Sequence, residues 1–544
     1  MKKMLLFVAA LFSVATVCAQ DDEFEFEEPT WTKTLTDVVE EASDANVNAP
    51  VVITNQGDVI KTGTFNMAFT FAGETLEPIA KSAYILKYDA KGNEVWGNAL
   101  RGAATITAIT TDDEGNIYVA GRMADKVLIT TTNNNTYDID GIVGDTTQVS
   151  GFIIVYDKDG KMIVRRQFVP TTNPDIFYMD GAAPRFLINK IAVVNDKVYF
   201  SVNYRCNTQI DDVALEGKVL DAFGAGFMFV DLNGFATIRL DKELAKAELL
   251  ANVYTSPDAL SGELQMEPEA MKFAVDGDDV YVVWTGWGDL SMDVNNEIQN
   301  FSFKQETEVI DGEPTNKREH AFVVVNATTG QTKVFNAPTN AKQASFYTIA
   351  DMQLDADKLC IGGTYIGALA FDNTKTSKGA CDAFLAAVNT SDLSIAWAQT
   401  SGIDEGEANK FNETVTMMGK GIEPEGSVVS VMIDVVDMNT KEIQETYEFD
   451  YDEAYNEPDV YVLPLEYPIS ACSFSIAGFV INSNVGTEST LRYFADEDFT
   501  QGIETIDNSQ SSISNGAIYN LQGQRVVKAQ KGVFIQNGKK VVVK

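Results

Sequence analysis

The chain has 544 residues, 45% of them hydrophobic, with a formal net charge of −38 and one histidine, His320. A protein this acidic lacks the basic footprint of a nucleic-acid binder, so nucleic acid is excluded as a partner. A single histidine rules out a zinc site with two or three histidine ligands from one chain, and the length implies several domains or one large repeat array.

At the start, Lys2 and Lys3 precede an apolar run from Met4 to Val17. Val17 and Ala19 then stand at the −3 and −1 positions of a cut before Gln20, so residues 1–19 are expected to be a signal peptide. A membrane anchor is the alternative, but the run is shorter than the ~20 residues a spanning helix needs. A lipoprotein site at Cys18 is another, although Ala-Thr-Val is a poor approach to a lipidated cysteine. Loss of Lys2 and Lys3 leaves a net charge of about −40, and no later run approaches ~18 apolar residues. We therefore expect no transmembrane helix after signal removal.

The next feature is self-similarity. Ser82 to Gly102 reads as an alternating strand, an Asp/Gly/Asn turn and a strand bearing Trp96. Ala104 to Gly121 repeats the pattern of strand, turn and strand. A second-strand signature recurs at GDVIKTG (from Gly57), GNIYVAG (from Gly115), DKVYFSV (from Asp196), DDVYVVW (ending at Trp284), DKLCIGG (from Asp357) and GSVVSVM (from Gly426). A third-strand signature recurs as SAYILKYD, GFIIVYD, GFMFVDL, HAFVVVN and DAFLAAVN. Apolar stubs at Phe69 and Ile210 fall between the two, and Trp96 and Trp397 occupy equivalent fourth-strand positions. Four strands per unit at a regular period predict an all-β propeller over residues 20–500.

Residues 81–121 resemble the bacterial β-propeller repeat called the SBBP type, whose pattern runs from Asp-Ala-Phe-Val through a Tyr-Asp turn and a Trp strand to Asp-x-x-Gly-Asn-Ile-Tyr-Val-x-Gly. Later copies are degraded, and Gly226 to Leu240 lacks the Trp. The resemblance implies a propeller and carries over no catalytic motif. Six blades are favoured. In the seven-blade alternative, SFSIAGF (Ser473 to Phe479) is a strand of the seventh. Trp31 in PTWTKTL has the look of a fourth strand without a third, so we expect it to complete the last blade beside Thr490–Phe494.

Residues 501–515 are expected to be a polar linker. From Gly516 to Lys544 there are six basic residues and no acid, and the stretch reads as three short strands. It resembles the C-terminal sorting domain of the Bacteroidota type IX secretion system at Tyr519, Gly523, Arg525, Gly532, Gly538 and Lys539, with Phe534 where that family usually has Tyr. The resemblance implies the type IX machinery as a partner. It also implies location outside the cell or on the outer-membrane surface of a Gram-negative bacterium.

Little chemistry stands out. His320 begins a repeat strand where other copies have Ser, Gly or Asp, which reads as a solvated position and no catalytic residue. DKDGK (from Asp157) lacks the later ligands of a calcium loop and reads as a hairpin turn. No nucleotide-binding glycine motif is present, so no metal and no cofactor are expected. Trp284 and Trp287 in VVWTGWGD are the candidate ligand-contact aromatics, with core packing as the alternative. The expected function is an exported, surface-attached binding or scaffold module for an unknown surface glycan or protein. The alternatives are a secreted hydrolase that uses carboxylates on glycans or peptides, and a structural envelope component.

Overall fold

A computed structural model describes residues 29–41, 49–124 and most of 127–495, with the main gaps at 140–148, 171–184, 222–228, 257–267, 337–345, 402–410 and 464–469. Beyond 495 it describes five short strands. The proposed signal peptide lies outside the described residues.

Among the described residues, antiparallel pairing sorts the strands of the ring into seven blades of four strands, each running inner to outer, with blade 1 extended past its fourth strand by Val127–Thr130 and Thr136–Ile139. Blade 1 is Val51–Ile53, Val59–Phe65, Ser82–Tyr88 and Glu94–Arg101. Blade 2 is Ala104–Thr111, Ile117–Met123, Ser150–Tyr156 and Met162–Phe168. Blade 3 is Arg185–Val194, Lys197–Arg205, Asn233–Asp241 and Ala247–Thr255. Blade 4 is Pro268–Asp276, the first half of Asp279–Val294, His320–Asn326 and Thr332–Asn336. Blade 5 is Phe346–Asp355, Lys358–Ile366, Asp382–Asn389 and Ile395–Thr400. Blade 6 is Phe411–Glu423, Gly426–Asp437, Ile443–Asp452 and Glu457–Leu463. Blade 7 is Ala471–Ser475, Gly478–Val485, Glu488–Ala495 and, as its outer strand, Trp31–Leu35.

The expected count of six is therefore corrected to seven. Ile443–Asp452 and Glu457–Leu463 supply the outer half of blade 6, and Ala471–Ser475 opens blade 7. SFSIAGF is not a single strand either, because it ends one strand at Ser475 and starts the next at Gly478. A second correction concerns GFMFVDL. Phe229–Asp231 pairs with Val219–Asp221 in a side hairpin, and the third strand of blade 3 is Asn233–Asp241.

The recurrent turn has a local cause. In blades 1 and 2, Asp89 Oδ1 accepts the backbone N–H groups of Lys91 and Asn93, and Asp157 Oδ1 accepts those of Asp159 and Lys161. Gly92 and Gly160 follow at φ of 78° and 81°, a region that favours glycine. DKDGK is thus a hairpin turn.

Apolar side chains alternate to the two faces of each blade and bury against the neighbouring blades, as a propeller requires. Tyr156 and Ile106 lie between blades 1 and 2, Phe186 and Tyr118 between 2 and 3, Trp284 and Val253 between 3 and 4, and Phe322 and Ile361 between 4 and 5. Leu385 and Val431 lie between 5 and 6, and Tyr493 and Val59 between 7 and 1. The inner strands of blades 6 and 7 touch, so the ring is closed.

The tail forms a separate five-stranded sheet from Glu504–Ile506, Ile518–Tyr519, Arg525–Val526, Gly532–Gln536 and Lys539–Val543. Three strands were expected, and the linker was expected to have none. Glu504–Ile506 instead pairs in parallel with Lys539–Val543. Tyr519, Arg525, Gly532 and Lys539 lie in these strands, while Gly523 and Gly538 fall outside the described residues.

Candidate binding sites on the ring

Trp284 and Trp287 are not exposed. Trp284 has no accessible surface and Trp287 retains 5%. Trp284 packs edge-on against Phe301 at 5.2 Å and its Nε1 donates to Met292 Sδ at 3.2 Å. Neither indole offers a free face to a ligand, and Trp284 belongs to the core between blades 3 and 4. The alternation in VVWTGWGD is that of a strand packed on both faces, which resembles an aromatic-rich loop in sequence.

His320 begins its strand as expected but is not solvated, with 1% of its surface exposed. Its Nε2 hydrogen bonds the Glu269 carboxylate, and its ring lies 4.9 Å from that of Phe346 and 5.4 Å from that of Tyr347 in blade 5. Glu269 is the extra residue of a β-bulge between Pro268 and Ala270 in the inner strand of blade 4. A bulge re-aims a side chain, and this one turns a carboxylate onto the histidine. Trp287 stands opposite His320 across the strand pair. Sequence reading missed Glu269 because nothing separates it from 78 other acids until the bulge is seen.

A recess lies elsewhere, at the outer edge of blades 3 and 4. The segment Asp279–Val294 is 16 residues long. Its first half serves blade 4, and its second half pairs with the outer strand of blade 3, Ala251↔Val294 through Thr255↔Leu290. Eight residues of straight strand would separate Trp284 from Met292 by roughly 26 Å, yet their side chains bond. The segment must therefore fold back, and Gly288 at φ 80° sits at the bend. The strand Glu297–Phe303 extends the sheet further.

This departure from the repeat leaves a cavity of about 430 Å³. Arg239, Glu248, Asp293 and Asn295 line it, with Asp212 from the side hairpin and Thr328 from the turn of blade 4. Arg239 Nη2 donates to Glu248 Oε2 at 2.5 Å and its Nε donates to the same oxygen at 3.1 Å. Burial pushes the Asp293 carboxyl above the usual carboxylate range. The recess therefore offers a fixed guanidinium–carboxylate pair, a carboxyl that takes up a proton more readily than usual, and neutral amide and hydroxyl groups. Among the described residues, no group of three or more side chains is placed to hold a metal ion.

No protein-family model matches the chain. Over 126 residues it is 27% identical to an uncharacterized WD repeat-containing protein of Acanthamoeba polyphaga mimivirus, a match covering 21% of this chain and 9% of that protein. The chain thus spans under a tenth of that relative. The strand pairing decides the fold. This chain is a β-propeller. Among solved structures, the Dos1 propeller aligns with 86% of the present propeller chain and 95% of its own length, at 11% identity and a TM-score of 0.37. The WD40 domain of SCAP from fission yeast aligns with 86% and 99%, at 7% identity and a TM-score of 0.30. An apocarotenoid oxygenase of Synechocystis aligns with 67% and 64%, at 10% identity and a TM-score of 0.30.

Proposed function

We propose that the chain is an exported, surface-attached propeller that binds a hydroxyl-rich glycan in the recess between blades 3 and 4. A propeller of this kind serves as a binding or scaffold module. The observation that carries the glycan reading is the recess itself, a polar cavity of about 430 Å³ at the place where the repeat is broken. Its groups match the alternating donors and acceptors of sugar hydroxyls. The signal-like start and the basic tail, with its type IX-like motif at Tyr519, Gly523, Arg525, Gly532, Gly538 and Lys539, support export through that machinery and retention at the surface.

Glycan-array screening followed by calorimetry on the chain lacking residues 1–19 tests the reading. Arg239→Ala should weaken the best ligand by about tenfold or more, the loss of a charge-assisted hydrogen bond. A ligand that binds the variant equally well would place the site elsewhere.

One observation favours a second reading. Asp212, Glu248 and Asp293 surround a single open recess, and the raised carboxyl of Asp293 suits a general acid, with Glu248 held beside it by Arg239. Hydrolysis of the bound glycan, lost in Asp293→Asn with binding retained, would establish an enzyme. Binding without turnover leaves the module reading in place.

A further inference from the structure

The central channel carries a charge arrangement at odds with the rest of this acidic protein. Lys190 lies on the inner strand of blade 3, Lys272 on that of blade 4 and Asp351 on that of blade 5. Lys190 Nζ donates to Asp351 Oδ1 at 2.6 Å and to the Met352 carbonyl at 3.1 Å. Blades 3 and 5 are not neighbours, so these side chains can meet only on the channel side of blade 4. There, the Lys190 ammonium passes 5.6 Å from the ring centroid of Phe273.

The inner strands of all three blades carry bulges nearby, at Ile188/Lys190, Pro268/Ala270 and Ile349/Asp351. Bulges of this kind turn side chains out of the regular alternation. Asp351 is already committed: Oδ1 serves Lys190, and Oδ2 accepts the Gln353 Nε2 at 3.1 Å. Lys272 makes no hydrogen bond or ion pair with a described residue, and its field comes from Asp351 and Lys190 together. Two lysines thus share the field of one carboxylate, each oxygen of which already accepts a hydrogen bond. Lys190 and Asp351 remain about a quarter exposed, 23% and 24%, so solutes in the channel can reach them.

We propose that Lys190 and Lys272 form an oxyanion-binding site in the central channel, which takes a phosphate or carboxylate group of a small ligand. An oxyanion beside Lys272 supplies the missing counter-charge and receives a charge-assisted hydrogen bond. Burial holds the Lys272 ammonium below its usual pKa; attraction to Asp351 opposes that shift and the weaker repulsion from Lys190 adds to it, and a bound anion would offset the cost of burial further. The site is separate from the blade 3–blade 4 recess, so failure of either proposal leaves the other standing.

The test is calorimetry and thermal unfolding of the chain lacking residues 1–19, titrated with inorganic phosphate, with glucuronate and with glucuronate methyl ester at matched ionic strength. Binding of phosphate and glucuronate, but not of the ester, indicates a general oxyanion site. Binding of glucuronate without phosphate narrows it to the carboxylate of an acidic sugar, and phosphate without glucuronate narrows it to a phosphate group. Either outcome supports the proposal. Lys272→Met should weaken binding by about tenfold or more. The same variant should raise the unfolding midpoint without ligand, because it removes an unpaired cation. Lys190→Arg, which keeps the pair with Asp351, should retain binding, and Lys91→Met on the exposed surface should behave as wild type. No binding of any oxyanion, or equal binding by wild type and Lys272→Met, would overturn the proposal.

Discussion

The Trp31 indole donates from Nε1 to the Ala90 carbonyl at 3.2 Å, joining the outer strand of blade 7 to the turn between the third and fourth strands of blade 1. Trp96, in the outer strand of blade 1, makes the same bond to the Lys158 carbonyl of blade 2 at 3.0 Å. Ala90 and Lys158 hold the same place in their turns, the residue after the capping aspartate. The junction between the two ends of the chain thus repeats an ordinary blade-to-blade step. Trp31 also stands opposite Tyr493, with ring centroids 5.3 Å apart.

This junction should respond to loss of the ring. Trp31 is partly exposed, so Trp31→Ala should cost about 2–3 kcal/mol, below the full cost of a buried tryptophan. Deletion of residues 20–36 removes the whole outer strand of blade 7 and should lower the unfolding midpoint further and promote aggregation through the exposed edge. Urea denaturation and light scattering check both. A truncated chain with the wild-type midpoint would contradict closure through this strand.

Lys61 predicts a pH dependence at the same junction. It lies fully buried in blade 1, and its Nζ donates to Asn482 Oδ1 and, at 2.7 Å, to Ser489 Oγ, both in blade 7. Burial lowers its pKa from 10.5 to about 7. A cation with a depressed folded pKa costs stability in full below that value, and the cost shrinks as pH rises towards the unfolded pKa. Its contribution to unfolding free energy should therefore increase between about pH 7 and pH 10.5, by on the order of 5 kcal/mol. Lys61→Met should flatten that slope in a series of denaturation curves. An unchanged slope would show that Lys61 does not titrate in this range.

His320→Ala should destabilise the protein by about 2–4 kcal/mol, through a cavity beside Phe346 and Tyr347 and the lost bond to Glu269. Glycan affinity at the recess should be unchanged, because His320 does not line it. Calorimetric unfolding and a binding isotherm on the same sample separate the two effects.

Trp284→Ala should cost about 3–5 kcal/mol, because the indole fills the core between blades 3 and 4. It should also disturb the recess, since Trp284 anchors the folded-back half of Asp279–Val294 through Met292. Loss of stability with intact glycan binding would argue against that coupling.

The repeat was legible where strand and turn both kept their pattern. The six second-strand signatures all fall in second strands, and the stubs at Phe69 and Ile210 begin and end strands of side hairpins. GFMFVDL misled because two alternating apolar stretches adjoin, and pairing rather than pattern decides which one Lys197–Arg205 accepts. The seventh blade was obscured because its strands come from both ends of the chain and its turn at Ala477 lacks the Asp/Gly/Asn signature. The recess was illegible for a different reason. Arg239, Glu248 and Asp293 sit on three strands, and they converge through a bend at Gly288 that no local sequence rule requires. The cation cluster in the channel depends on bulges, which place Lys190 and Asp351 two blades apart yet in contact.

The central claim is that this propeller is exported and held at the cell surface, and the direct test is mass spectrometry of the protein shed by protease from intact native cells. The account predicts a form starting at Gln20 and lacking the basic tail from Gly516 onwards, accessible to the protease before lysis. A chain with Met1 and the tail intact, protected until the cells are broken, would contradict it.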